Sequence, residues 1–171
     1  MHWTWDTYAF AASSAKSIVK RGGDTWFFLT ADFAFGHAMQ RDSTRSIEAA
    51  GGKVVGGVRH PLNTADFASF LLQAQNSRAK VVALANGGSD MTNSIRQAAE
   101  FGIVQGGQRL AALAAFITDV HALGLAGAQG LLLTTSFYWD RALTRAENGQ
   151  SASSRDAASC RPRRRPVSIR R

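Results

Sequence analysis

A chain of 171 residues, 45% of them hydrophobic, is long enough for one domain with a real core and too short for two of full size. Its formal charge of +8 points to nucleic acid until it is located: residues 141–171 hold nine arginines against Glu147 and Asp156, a balance of +7, whereas residues 1–140 hold eleven bases against ten acids, a balance of +1. The body is therefore nearly neutral, its bases are spread along the sequence, and a phosphate-binding surface on the folded part is not expected.

Cys160 is the only cysteine, which excludes a disulfide framework or a cysteine metal cluster within one chain. No run of about 18 apolar residues is present to span a membrane. The opening "MHWTWDTYAFAASSAKSIVKRGG" lacks a basic stretch followed by a continuous apolar core, so as written the chain carries no export signal and reads as cytoplasmic.

After Trp5, the spacing of Tyr8, Ala12, Ala15 and Val19 predicts a helix from Thr7 to Lys20, with Asp6 as its N-cap and Gly22-Gly23 ending it. Thr25 to Thr30, rich in aromatic and β-branched residues, has the pattern of a short strand buried on both faces. A helix from about Phe35 to Ala50 follows, closed by Gly51-Gly52. Lys53 to Val58 reads as a second strand, and "HPLNTADF" as a loop in which Asn63 or Thr64 caps a helix running to about Asn76 through Phe67, Phe70, Leu71 and Ala74. Val81 to Ala85 is a third strand, followed by the turn "NGGSD" and the helix "MTNSIRQAAEFG", with Ile95, Ala98 and Phe101 on one face and Gly102 at its C-cap. Leu110 to Ile117 and Leu131 to Thr135 are the last two strands, separated by "TDVHALGLAGAQG", which has room for a short helix.

Strands alternating with helices over short turns specify an α/β fold: a three-layer, open, mostly parallel sheet with helices on both faces. Five strands are expected, and their order across the sheet is not fixed by the sequence. Beyond Asp140 the grammar stops. "RALTRAENGQSASSRDAASCRPRRRPVSIRR" has no apolar period and cannot bury enough surface to offset its ordering entropy, so residues 141–171 are expected to be a disordered tail on a body of residues 1–140.

The segments "TWFFLTADFAFGHAM", "GGKVVGGVRHPLNTADFASFLLQAQNSRAKVVALANGG", "IRQAAEFGI" and "FITDVHALGLAGAQGLLLTTSFYWD", in this order and at these separations, resemble the second lobe of a periplasmic substrate-binding protein of the branched-chain amino-acid type. The resemblance covers about residues 2 to 140. It implies one lobe of a two-lobed α/β clamshell that closes on an amino acid, an amide or an aromatic acid, without catalysis or cofactor, and delivers it to an importer's membrane permease. It implies a periplasmic location as well. The chain departs from the pattern at both ends, lacking a first lobe before Met1 and replacing the family's continuation after "SFYWD" with the arginine-rich tail. That is the expectation for a truncated or frame-disrupted copy.

By the same resemblance, ligand contacts in this lobe come from the strand-end loops, here Phe35 with Gly36, the Asn86-Gly87-Gly88 turn, and Phe116, Thr118 and Asp119. A tyrosine is common where Phe35 stands. Phenylalanine keeps an aromatic wall without a hydroxyl, which favours an apolar or aromatic ligand part. Phe35 equally fits a core residue at a helix start. Asn86-Gly87-Gly88 allows a backbone approach to an anionic or carbonyl group, and equally an ordinary strand-to-helix turn capped by Ser89 or Asp90. Asp119 is placed to partner a ligand ammonium or to cap the helix near Val120, and Asp32 reads as structural.

His37, His60 and His121 share no i,i+4 face, and no Walker loop, G-x-S-x-G elbow or G-x-G-x-x-G turn occurs, so no metal, cofactor or enzyme chemistry is implied. Two other readings stay open. One is an enzyme on a flavodoxin-like sheet, and the other is nucleic-acid binding through "RPRRRPVSIRR", for which salt-dependent affinity alone would prove nothing specific.

Overall fold

The computed structural model describes residues 7–133, and within these not the side chains of 7–13, 117, 125 and 126. The Asp6 cap, Trp3, Trp5, the Thr134-Thr135 end of the last expected strand and the 141–171 tail lie outside the described residues. So do the side chains of Tyr8 and Ala12 on the first helix.

Helices and strands alternate: α1 (Thr7–Lys20), β1 (Thr25–Ala31), α2 (Ala34–Ala49), β2 (Lys53–His60), α3 (Ala68–Asn76), β3 (Val81–Ala85), α4 (Gly88–Glu100), β4 (Arg109–Ala112), α5 (Ile117–Gly127) and β5 (Leu131–Leu133). All the strand pairs are parallel, in the order β2-β1-β3-β4-β5. Side chains alternate across a strand, so β1 sends Trp26 and Phe28 to one face and Phe27 and Leu29 to the other. The first pair packs with Ala15 and Ile18 of α1 and Met39 and Ile47 of α2. The second packs with Leu71 and Ala74 of α3 and Met91, Ile95 and Ala98 of α4. Coverage on both sides is why β1 and β3 read as unbroken apolar runs rather than alternating ones.

Helix ends follow glycine. After α2, Gly51 adopts φ +85, and the N–H groups of Gly51 and Gly52 bond back to the Glu48 and Ile47 carbonyls at 3.0 and 2.8 Å. This closes the last turn with a residue whose left-handed backbone costs little only without a Cβ. Gly22 and Gly102 end α1 and α4 in the same manner.

Several boundaries differ from the sequence expectation. β2 runs two residues further than Val58, because Arg59 and His60 pair with Thr30 and Ala31 and the His60 carbonyl accepts from Asp32 N–H at 2.8 Å. α3 begins only at Ala68, and the carboxylate that serves its first turn is Asp66, accepting from Ala68 N–H at 2.8 Å, not Asn63 or Thr64. α4 starts at Gly88 with Gly87 in the cap position, so Ser89 and Asp90 lie inside the helix. Phe101 is not on the buried stripe of α4 but exposed beyond its end. β4 stops at Ala112, and Ile117 belongs to α5, which kinks at Gly124.

At the amino ends of the strands, Lys80 donates to Asp24 at 2.8 Å. This hydrogen bond holds the Asp24 carboxyl below its usual range. A lowered carboxylate pKa contributes stability above the unfolded value and loses it as pH falls through the folded one. Asp24→Asn should therefore lower the thermal midpoint slightly at neutral pH, with a difference that vanishes on acidification below the folded pKa and shrinks in about 1 M salt, where exposed charges are screened. Thermal unfolding of both chains across pH checks this.

Candidate functional site

In the order β2-β1-β3-β4-β5 the chain leaves β1 towards one edge and continues from β3 towards the other. The crevice between the carboxyl ends of β1 and β3 is thus the topological switch point, where open α/β sheets usually hold ligands. Two of the three sequence-predicted segments meet there. A Cβ built on Gly36 would run into the Ala31 carbonyl oxygen and lie 3.1 Å from the Ala85 carbonyl oxygen, so the first turn of α2 rests directly on the ends of both strands. Gly36 is buried, and its role here is close backbone packing.

Phe35, one residue before, is half-buried and packs against the α1/α2 face of the core while standing beside Phe33, ring centroids 5.8 Å apart. Its ring is thus partly a core residue. Phe33 is 38% exposed; Leu62 after β2 and Phe116 after β4 are each 51% exposed. These are large apolar side chains left in water after the ends of β1, β2 and β4, so the strand-end rim presents apolar surface.

The third segment lies at the end of β4. Phe116 caps α5, and its backbone N–H donates to Asp119 Oδ2 at 2.8 Å, the reach-back half of a capping box. Asp119 thus fills the capping role while remaining half-exposed, and Thr118 is exposed. Gly87 and Gly88 open towards solvent: a Cβ on either would meet nothing within 4 Å.

Asn86 is fully buried and engaged internally. Its Nδ2 donates to His60 Nε2 at 3.2 Å and to Ser94 Oγ at 3.4 Å, and Ser94 Oγ donates to the Met91 carbonyl at 2.9 Å. His60 Nδ1 donates to the Pro61 carbonyl at 2.8 Å, which fixes Nε2 as the acceptor. Asp90 reaches across to accept from Asn63 N–H at 3.1 Å, and Gln97 both accepts from Phe67 N–H at 2.7 Å and donates to the Ala65 carbonyl at 2.8 Å. These bonds clamp the β2–α3 loop, and with it Leu62, onto α4. The sequence placed His60 in a loop; it is instead a buried strand-end residue lying edge-on to Phe67 at 4.9 Å.

The bases of the body are also less evenly spread than the sequence suggests. His37, Arg41 and Arg45 of α2 and Arg59 of β2 line one groove of about 390 Å³ with Gln40 and Thr44. Two further concavities, of about 450 and 410 Å³, lie beside α1 over β4 and β5 and between α4 and the β5 edge. None of these three is lined by Phe35, Gly36, Asn86, Gly87, Gly88, Phe116, Thr118 or Asp119.

The model of the periplasmic binding protein family matches residues 1–161, past the composition break at Asp140. A crystal structure of a periplasmic binding protein from Burkholderia mallei shares 54% identity over 84% of this chain and 38% of its own, with a TM-score of 0.77. A branched-chain amino acid ABC transporter periplasmic ligand-binding protein from Burkholderia xenovorans shares 34% identity over 83% of this chain and 38% of its own, with a TM-score of 0.79. An amino acid ABC transporter substrate-binding protein from Pseudomonas fluorescens, at 25% identity, is covered over 36% of its length by 77% of this chain, with a TM-score of 0.73. No curated protein matches. The chain thus spans well under half the length of these solved relatives. With its parallel sheet and the match along most of its length, it belongs to the periplasmic binding protein family.

Proposed function

We propose that residues 1–140 form the second lobe of the solute-binding component of an ABC-type importer, and that the strand-end rim is this lobe's half of a site for a branched-chain amino acid or a related amphipathic or aromatic acid. The observation that carries the reading is the meeting of Phe35-Gly36 and Asn86-Gly87-Gly88 at the β1/β3 switch point beside exposed Phe33. An apolar wall next to a helix start with open N–H groups suits a ligand with an apolar body and a polar head. Phe35 and Phe33 supply the wall, and Gly87, Gly88 and Thr118 leave room for backbone approach. Asp119 offers its outer edge to an ammonium while holding Phe116. Gly36 and Asn86 shape the site from beneath.

In this reading the protein binds without catalysis, the whole receptor works in the periplasm with its permease, and residues 141–171 take no part in binding. Tested by themselves, these residues offer a ligand only this lobe's face, without the contacts the first lobe would supply. About half of a buried ligand's surface would stay in water, so affinity should be no better than about millimolar, near 4 kcal/mol. Isothermal titration with leucine, phenylalanine and benzoate should give that range, weakened further by Phe35→Ala. Micromolar binding unchanged by Phe35→Ala or Asp119→Ala would place the site elsewhere, and turnover of any of these compounds would favour the enzyme reading.

A further inference from the structure

We propose that the groove between α2 and the edge strand β2 docks an acidic segment of a partner protein. His37, Arg41 and Arg45 follow one another at four-residue intervals, so they stand in a row about 12 Å long on one side of α2. Arg59 faces them from β2, whose far edge is unpaired among the described residues. All three arginines are exposed, and both supporting elements are regular, so the backbone positions that carry the charges are fixed relative to one another.

The pattern selects the partner. Exposed ion pairs contribute little singly, so a useful ligand must engage several at once. A row of 12 Å exceeds what one carboxylate or phosphate can span. The groove is also not uniformly basic: Asp32 lies 2.8 Å from His37 Nε2 and 4.0 Å from Arg59, and Asp42 lies 3.2 Å from Arg41 Nε. Those acids would repel a continuous line of phosphates, whereas a protein segment with carboxylates at helical spacing and an occasional base can match both signs. No apolar side chain lines the groove to insert into a membrane.

The test is an amide NMR titration of the full chain with two helical peptides of identical composition, one with glutamates every fourth residue on a single face and one with the same glutamates distributed around the helix. The aligned peptide should shift the amides of 37–45 and Arg59 and bind about tenfold more tightly than the distributed one. Arg41→Glu with Arg45→Glu, and separately Arg59→Glu on the other element, should remove that preference. The arginine-rich tail should respond to both peptides alike. Equal binding of the two peptides, shifts confined to residues 141–171, or the same groove shifts produced by inorganic phosphate or phosphatidylglycerol vesicles would overturn the proposal.

Discussion

Replacing Gly36 with alanine should destabilise the protein by about 3 kcal/mol, although the same change elsewhere in a helix interior would stabilise it by up to about 1 kcal/mol. The sign is decided by what the new methyl meets. It would overlap the Ala31 carbonyl oxygen and crowd the Ala85 carbonyl oxygen at 3.1 Å, and both are backbone atoms at the ends of paired strands. A flexible side chain could swing aside; two neighbouring strands cannot. The alternative is for α2 to lift from the strand ends, which would open contacts of Met39 and Ile47 with the core. Urea unfolding should show a lower midpoint at unchanged slope. An unaltered or raised midpoint would mean that α2 does not sit on the β1 and β3 ends as described, and the switch-point geometry would go with it.

His60→Ala should cost a similar amount, about 3 kcal/mol, for a different reason. The ring is fully buried, lies edge-on to Phe67 and Phe70 with centroids at 4.9 and 6.1 Å, and satisfies both the Pro61 carbonyl and the Asn86 amide. Alanine leaves a cavity and at least one buried polar group without its partner. His60→Phe separates the two effects: it keeps the ring and loses the hydrogen bonds, and should cost about 1–2 kcal/mol. Chemical unfolding of the three chains checks the order wild type, His60→Phe, His60→Ala. Equal stability of His60→Phe and wild type would show that the polar network around Asn86 contributes nothing.

The strands could be read from the sequence where both faces are covered, since β1 and β3 appear as unbroken apolar runs. Helix ends could be read from Gly22, Gly51 and Gly102 for the conformational reason that positive φ demands. What the sequence hid is mostly long-range. His60 precedes a proline and looks like a loop residue, yet its strand pairing depends on Ala31, far away in the chain. Asp90 looks like a cap for its own helix and instead accepts from Asn63, 27 residues earlier. Leu110 to Ile117 reads as one apolar run because Leu113 to Ala115 stay buried after β4 has ended, where periodicity cannot distinguish strand from turn.

The site was divided in the same way. Phe35, the Asn86 turn and Asp119 stand at strand ends, as the resemblance implied, but Asn86 and Gly36 turn out to be internal supports, and Leu62 joins the rim only because the ends of β2, β1 and β3 lie side by side. Only half of the basic groove was legible: His37, Arg41 and Arg45 stand at helical intervals in the sequence, but Arg59 is brought opposite them only by the pairing of β2 with β1.

The account rests on the strand-end rim being where a solute binds. Residue-resolved amide NMR of the full chain, titrated with phenylalanine and with benzoate up to tens of millimolar, about ten times the expected dissociation constant, tests this most directly. The account predicts saturable shifts concentrated at residues 32–36, 87–89 and 116–119, absent or much weaker in Phe35→Ala. Shifts spread evenly over the surface, or gathered in the cavity beside α1 over β4 and β5, would contradict it.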